Sequence, residues 1–121
     1  MWTSYKEKLK REHDFLVEYI LYSFEDGGRK STYQGYRCDF MYCDDNPSDG
    51  IYMIHPEFLD KDNEVIIDDK NPVNIVGRAL MWIIVQEMKD YHKKRLKVVS
   101  EGYLMEGSRI VGEVKILELN M

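Results

Sequence analysis

Gly27-Gly28-Arg29-Lys30-Ser31-Thr32 places a glycine pair before two cations and two hydroxyls, residue types able to cradle a phosphate. A phosphate loop for nucleotide hydrolysis has a stricter requirement. It needs Gly, four residues, then Gly-Lys-Ser/Thr, so that successive backbone N–H groups curl around the oxygens. Here Arg29 stands directly before Lys30, and Tyr33-Gln34-Gly35-Tyr36 follows in place of the first turns of a helix. The stretch therefore reads as a glycine turn joining two strands, with basic residues at its tip. No nucleotide is expected.

The other chemistry-bearing residues are scattered. His13, His55 and His92 lie in three different segments, with no His-Glu-x-x-His spacing to join them. Cys38 and Cys43 fall on opposite faces of any regular strand and do not form a Cys-x-x-Cys knuckle, so both read as reduced apolar fillers. In the loop from Asp44 to Gly50, a calcium-type count starting at Asp45 puts Pro47 at the third ligand position and Pro56 at the twelfth. Ser100-Glu101 offers no recognisable nucleophile–base pair. No cofactor and no metal are implied. Trp2, Trp82 and the tyrosines could stack on bases, although a strand-rich core also consumes aromatics. The basic run Lys89–Lys97 reads either as a patch for RNA or an acidic partner, or as a solvated turn.

With 121 residues, 44% hydrophobic and 32% charged, the chain suits one soluble domain with a core of its own. The longest apolar run, Ala79–Val85, is too short to span a bilayer, and the opening MWTSYKEKLKREH lacks a signal-type apolar core. A cytoplasmic location is the expectation. Net charge is −5, unevenly placed: from Asp39 to Asp69 there are ten carboxylates against the single Lys61. Basic residues gather at Lys6–Arg11, Arg29-Lys30 and Lys93–Lys97. Binding depends on such local patches more than on the total.

Residues 1–14 read as a polar N-terminal extension holding a short helix capped by Thr3 or Ser4, and 15–121 as a single β domain. Strands are expected at 15–24, 36–43, 50–54, 64–68, 96–99, 102–105 and 109–119, with a turn at Gly107-Ser108. Between them, 73–96 is ambiguous. Val76, Leu80, Ile83 and Ile84 would share a helix face, yet Trp82–Val85 is branched and apolar on both sides, as a central strand is.

Two separated stretches resemble a known family. EDGGRKSTYQGYRCDFMY (25–42) is similar to the opening of the third, C-terminal β-barrel domain of elongation factor Tu, which reads Glu-Gly-Gly-Arg-His-Thr-Pro and then Gly-Tyr-Arg-Pro-Gln-Phe. MEGSRIVGEV (105–114) resembles that domain's closing hairpin, Arg-Glu-Gly-Gly-Arg-Thr-Val-Gly. The resemblance implies a mainly β fold, a six-stranded Greek-key barrel, with 78–86 a barrel strand and 87–95 a turn or short helix. It also implies a domain without a catalytic centre, whose loops grip the stem of a tRNA. Carried over, the backbone-contacting residues are Arg29, Lys30 and Ser31 with Glu106 and Gly107.

The expected function is a non-catalytic binding module. The leading form engages another protein through the barrel surface, with Asp44, Asp45 and Asp49 in its acidic stretch. A second grips an RNA backbone with Arg29, Lys30 and the 106–109 turn, where cations neutralise phosphates without reading bases. A third, an enzyme with a pocket in the barrel, has no motif behind it.

Overall fold

The computed structural model describes residues 1–121. FLVEYIL alternates strictly, so Phe15, Val17, Tyr19 and Leu21 are buried while Glu18 and Ile20 face outward; this is β1, Phe15–Leu21. Six further strands follow: β2 (Asp39–Tyr42), β3 (Ile51–Tyr52), β4 (Ile54–Phe58), β5 (Val76–Ile83), β6 (Glu101–Glu106) and β7 (Arg109–Leu119). All pairings are antiparallel, in the order β3-β2-β6-β7-β1-β5-β4, and the sheet curls into a half-barrel. The concave side holds the core, from Phe15, Phe40, Ile54, Met81, Leu104 and Ile116 among others.

Of the ambiguous stretch 73–96, Val76–Ile83 is a strand, starting two residues before the expected 78–86 and ending three short of it. β5 pairs with β1 on one side and with β4 on the other, which explains why its sequence is apolar in both directions. Gln86–Met88 then forms a 3-10 turn and Lys89–Arg95 a helix, named α2. Ser4 caps a short helix α1 (Tyr5–Leu9), its hydroxyl accepting from the Glu7 N–H at 3.2 Å.

Several expectations are corrected. The sheet has seven strands where six were expected, because the extended stretch 51–58 breaks at Met53, giving one strand to each end of the sheet. The expected 50–54 strand missed β4, whose Pro56 is tolerated because β4 ends the sheet and pairs only with β5. The stretch 64–68 is not a strand. The Asp60 carboxylate takes the N–H groups of Asp62 and Glu64 and bends the chain, and only the Leu59–Val65 bridge remains. Residues 96–99 are not a strand: Leu96 ends α2 in an extended conformation and the chain turns at Val98-Val99, with Val99 at φ 63°. β1 stops at Leu21, and Ser23 caps a 3-10 turn over Phe24–Asp26.

The extension is not a loose tail. Trp2 and Tyr5 lie on the outer face of β4 and β5, over Trp82 and Glu57. Glu57 has no exposed surface, and its oxygens accept from the Trp2 indole N–H (2.7 Å), the Trp82 indole N–H (3.2 Å) and the Tyr5 backbone N–H (2.9 Å). Asp14 is buried too, accepting from the Ile83 N–H (2.7 Å) and from Arg11 (3.0 Å). No helix is long and apolar enough to cross a membrane.

Candidate nucleic-acid interface

Between β1 and β2 the chain runs through residues 22–38 without a strand, yet it is held firmly. Gln34 is buried, and its side chain behaves like a piece of sheet. Its amide donates to the carbonyls of Phe58 (2.9 Å) and Ile66 (2.8 Å), and its oxygen accepts from the Phe58 N–H (2.8 Å). The Thr32 carbonyl accepts from the Val73 N–H at 2.8 Å. Gly27 closes the preceding turn at φ 98°, a conformation glycine adopts without strain. The tip, Arg29 to Ser31, is thereby fixed between two anchored ends.

The other half of the site comes from the β6–β7 hairpin. Glu106 and Arg109 face each other across the turn, where Gly107 has φ 61°. The two stretches meet directly: Arg29 Nη1 donates to Glu106 Oε1 at 2.9 Å, and the Tyr36 hydroxyl donates to the same oxygen at 2.6 Å. Arg109 donates to Glu106 Oε2. The hydrogen bond from Tyr36, then the hydrogen bond and charge of Arg29, hold the Glu106 carboxyl below its usual pKa. Burial and the bond to Glu106 push the Tyr36 phenol up. Arg29 also lies over the Tyr36 ring, 4.8 Å from its centre, and Lys30 lies 5.4 Å from the ring centre of Phe24.

The result is an open cleft of about 490 Å³ lined by Phe24, Gly28, Arg29, Lys30, Ser31, Tyr33, Glu106 and Arg109. Three cations face one carboxylate there, and Lys30 has no ion pair. Phe24 and Tyr33 are 61% and 40% exposed, leaving aromatic surface beside the positive charge. No family model matches this sequence, and a search among curated proteins returns no match. What the cleft does is therefore argued from its own side chains.

Arg29, Lys30, Ser31, Glu106 and Gly107 all belong to this one corner. Glu106 is occupied by Tyr36 and two guanidinium groups, so it orients cations more than it awaits a ribose hydroxyl. Sequence reasoning missed Phe24 and Tyr33, and took in Arg109 only as the last residue of the 106–109 turn. Arg109 had a signal, since it directly follows the Gly107-Ser108 turn beside Glu106.

The acidic residues are arranged differently. Arg95 Nη2 pairs with Asp44 at 2.9 Å and Nη1 with Asp45 at 2.8 Å, while its guanidinium stacks 3.9 Å from the Tyr42 ring centre. Asp49 is exposed and unpaired in the same loop. The basic run thus neutralises part of the acidic stretch, and Glu57 from that stretch is wholly buried. Trp82 is buried and Trp2 is tied to Glu57, so neither is free to stack on a base.

Beneath Arg95, His92 is buried with its Nδ1 2.7 Å from the Tyr42 hydroxyl. Burial, then the charge of Arg95, lowers its pKa to about 4. Cys38 and Cys43 are both free, Cys38 buried and its thiol pushed up by that burial.

Proposed function

We propose that this protein is a non-catalytic module that grips an RNA phosphate backbone in the cleft between the 29–31 loop and the 106–109 turn. The observation that carries the reading is the Arg29–Glu106 pair. It brings two motifs from opposite ends of the domain into one corner and aims Arg29, Arg109 and the unpaired Lys30 at a shared space. Cations so placed meet phosphates, and exposed Phe24 and Tyr33 offer stacking surface for an unpaired base. Backbone contacts of this kind carry no base sequence, so the module recognises charge and shape.

The fold part of the proposal is a six-stranded Greek-key barrel like the third domain of elongation factor Tu. It is supported by counting 51–58 as one strand bent at Met53, whose two halves lie on the two ends of the sheet. It is supported as well by the position of both resembling motifs at the same corner.

The test is tRNA binding titrated with salt, for the natural sequence and for Arg29→Glu with Lys30→Glu. The proposal expects affinity that falls with log salt at a slope of about −2 to −3 for three phosphate contacts, and loss of binding on charge reversal. Absence of binding at low salt would reduce the corner to a strand turn.

A further inference from the structure

The N-terminal extension covers the outer face of β4 and the Trp82 end of β5 but leaves bare the Val76–Arg78 end of β5 and the outer face of the strands beside it. Across β5, β1, β7 and β6 the register sets Arg78, Glu18, Lys115 and Glu101 side by side in one row. The next row reads Val76, Ile20, Glu113 and Tyr103. Both rows lie in uninterrupted ladder between the bulges at Leu16/Val17 and Leu104/Met105. Together they line a surface groove of about 450 Å³. None of the four charged residues of the first row has an ion pair within the chain, and Ile20 and Val76 are 47% and 58% exposed.

We propose that this face is the interface of a symmetric homodimer, its occupant a second copy of the same chain. The argument is the charge order. A two-fold axis parallel to the strands, lying between β1 and β7, reverses the order across the sheet without shifting it along the strands. The row plus, minus, plus, minus then meets minus, plus, minus, plus. Arg78 faces Glu101 of the second copy, and Glu18 faces its Lys115, each twice by symmetry. In the second row Val76 meets Tyr103, an apolar contact at each end. Ile20 meets Glu113, whose carboxylate is drawn aside by the Tyr22 hydroxyl at 2.9 Å. Strands of the two copies run in line, the aligned packing that sheets favour face to face. Such charge matching selects partner and register more than it adds affinity, and the exposed apolar residues supply the remainder. The same axis sets both 106–109 turns at one end of the pair.

The experiment is sedimentation equilibrium at low salt, up to about 100 µM, where even a weak dimer is populated. The natural chain is expected to be dimeric. Glu18→Lys alone sets lysine against Lys115 of the other copy, and Lys115→Glu alone sets glutamate against Glu18, so each variant by itself should be monomeric. Mixed one to one, both contacts become attractive again and a heterodimer should form. Damage to the fold within each chain would persist in the mixture, so recovery reports the interface itself. Ile20→Arg, at an exposed position, should also give monomer. A monomeric natural chain, dimers that survive all three substitutions, or a mixture that stays monomeric would each overturn the proposal.

Discussion

Arg29 and Glu106 stand 77 positions apart and are joined by a 2.9 Å ion pair at a corner where both remain 44% and 37% exposed. Water screens such a pair, so its contribution to stability is small. Its consequence is geometric: it holds the 29–31 loop against the β6–β7 turn.

Replacing Glu106 by Gln keeps an acceptor for Arg29 and removes the one negative charge lining the cleft. We expect tRNA affinity at low salt to rise and the salt slope to steepen by about one, while the melting temperature changes little. Fluorescence anisotropy at several salt concentrations measures both. Weaker binding would show that the carboxylate is itself part of the contact.

Glu57→Gln addresses the anchor of the N-terminal extension. Three N–H donors converge on the two carboxylate oxygens, and an amide would turn its own NH₂ toward at least one of them. With the group fully buried, the expected loss is about 3 kcal/mol of unfolding free energy, read from urea titrations. Emission from Trp2 and Trp82 should change with it. An unchanged urea midpoint would contradict the view that this carboxylate anchors the extension.

Acid should weaken the fold through His92. Its pKa is about 4 in the folded chain, lowered by burial and then by Arg95, against about 6.5 when unfolded. Above pH 6.5 both states are neutral there and stability does not depend on it. Between 6.5 and 4 only the unfolded chain takes the proton, so stability falls as pH drops, by up to about 3 kcal/mol, and levels off below. His13, also lowered by burial, acts with the same sign. Urea midpoints from pH 8 to 4 should decline over that window, and the decline should shrink in His92→Asn. Equal pH profiles for the two proteins would refute this assignment.

Two glycines should respond differently to alanine. Gly35 has φ +92°, and a Cβ there would lie 2.6 Å from the Trp2 ring, so Gly35→Ala strains the backbone and pushes Trp2 away. Gly107 has φ +61° but open space around it, leaving only the left-handed backbone penalty of about 1 kcal/mol. Thermal melts of both variants should rank Gly35→Ala as the more damaging by several degrees. The reverse order would mean that Trp2 yields freely.

Some of this was legible along the chain and some was not, and particular residues show where the line falls. The alternation in 15–21 and 109–119 announces strands because a period of two is local and needs no partner to be visible. EVIID shows the limit. Its pattern resembles a strand, but the Asp60 side chain bends the backbone. Past the Leu59–Val65 bridge it is held by scattered bonds, from the Ile66 N–H to the Phe58 carbonyl and from the Trp2 N–H to the Ile67 carbonyl, without a ladder. At 76–83 the residues suited helix and strand alike, and pairing with β1 and β4 decided. The site divides the same way. Arg29-Lys30 and the 106–109 turn stood out as motifs, whereas Phe24 and Tyr33 joined them only through the fold.

The β character, the turns at Gly27 and Gly107, and a short helix opening at Thr3 or Ser4 were readable along the chain, since these follow from backbone preferences spanning a few residues. Tertiary structure alone decided which charges count. It buried Glu57 under two tryptophans, spent Asp44 and Asp45 on Arg95, and lined up Arg78, Glu18, Lys115 and Glu101 on a bare face. The reason is that desolvation and charge pairing depend on distance in space, and deciding neighbours such as Trp82 for Glu57, Arg95 for Asp44 and Trp2 for Glu57 lie 25, 51 and 55 positions away along the chain.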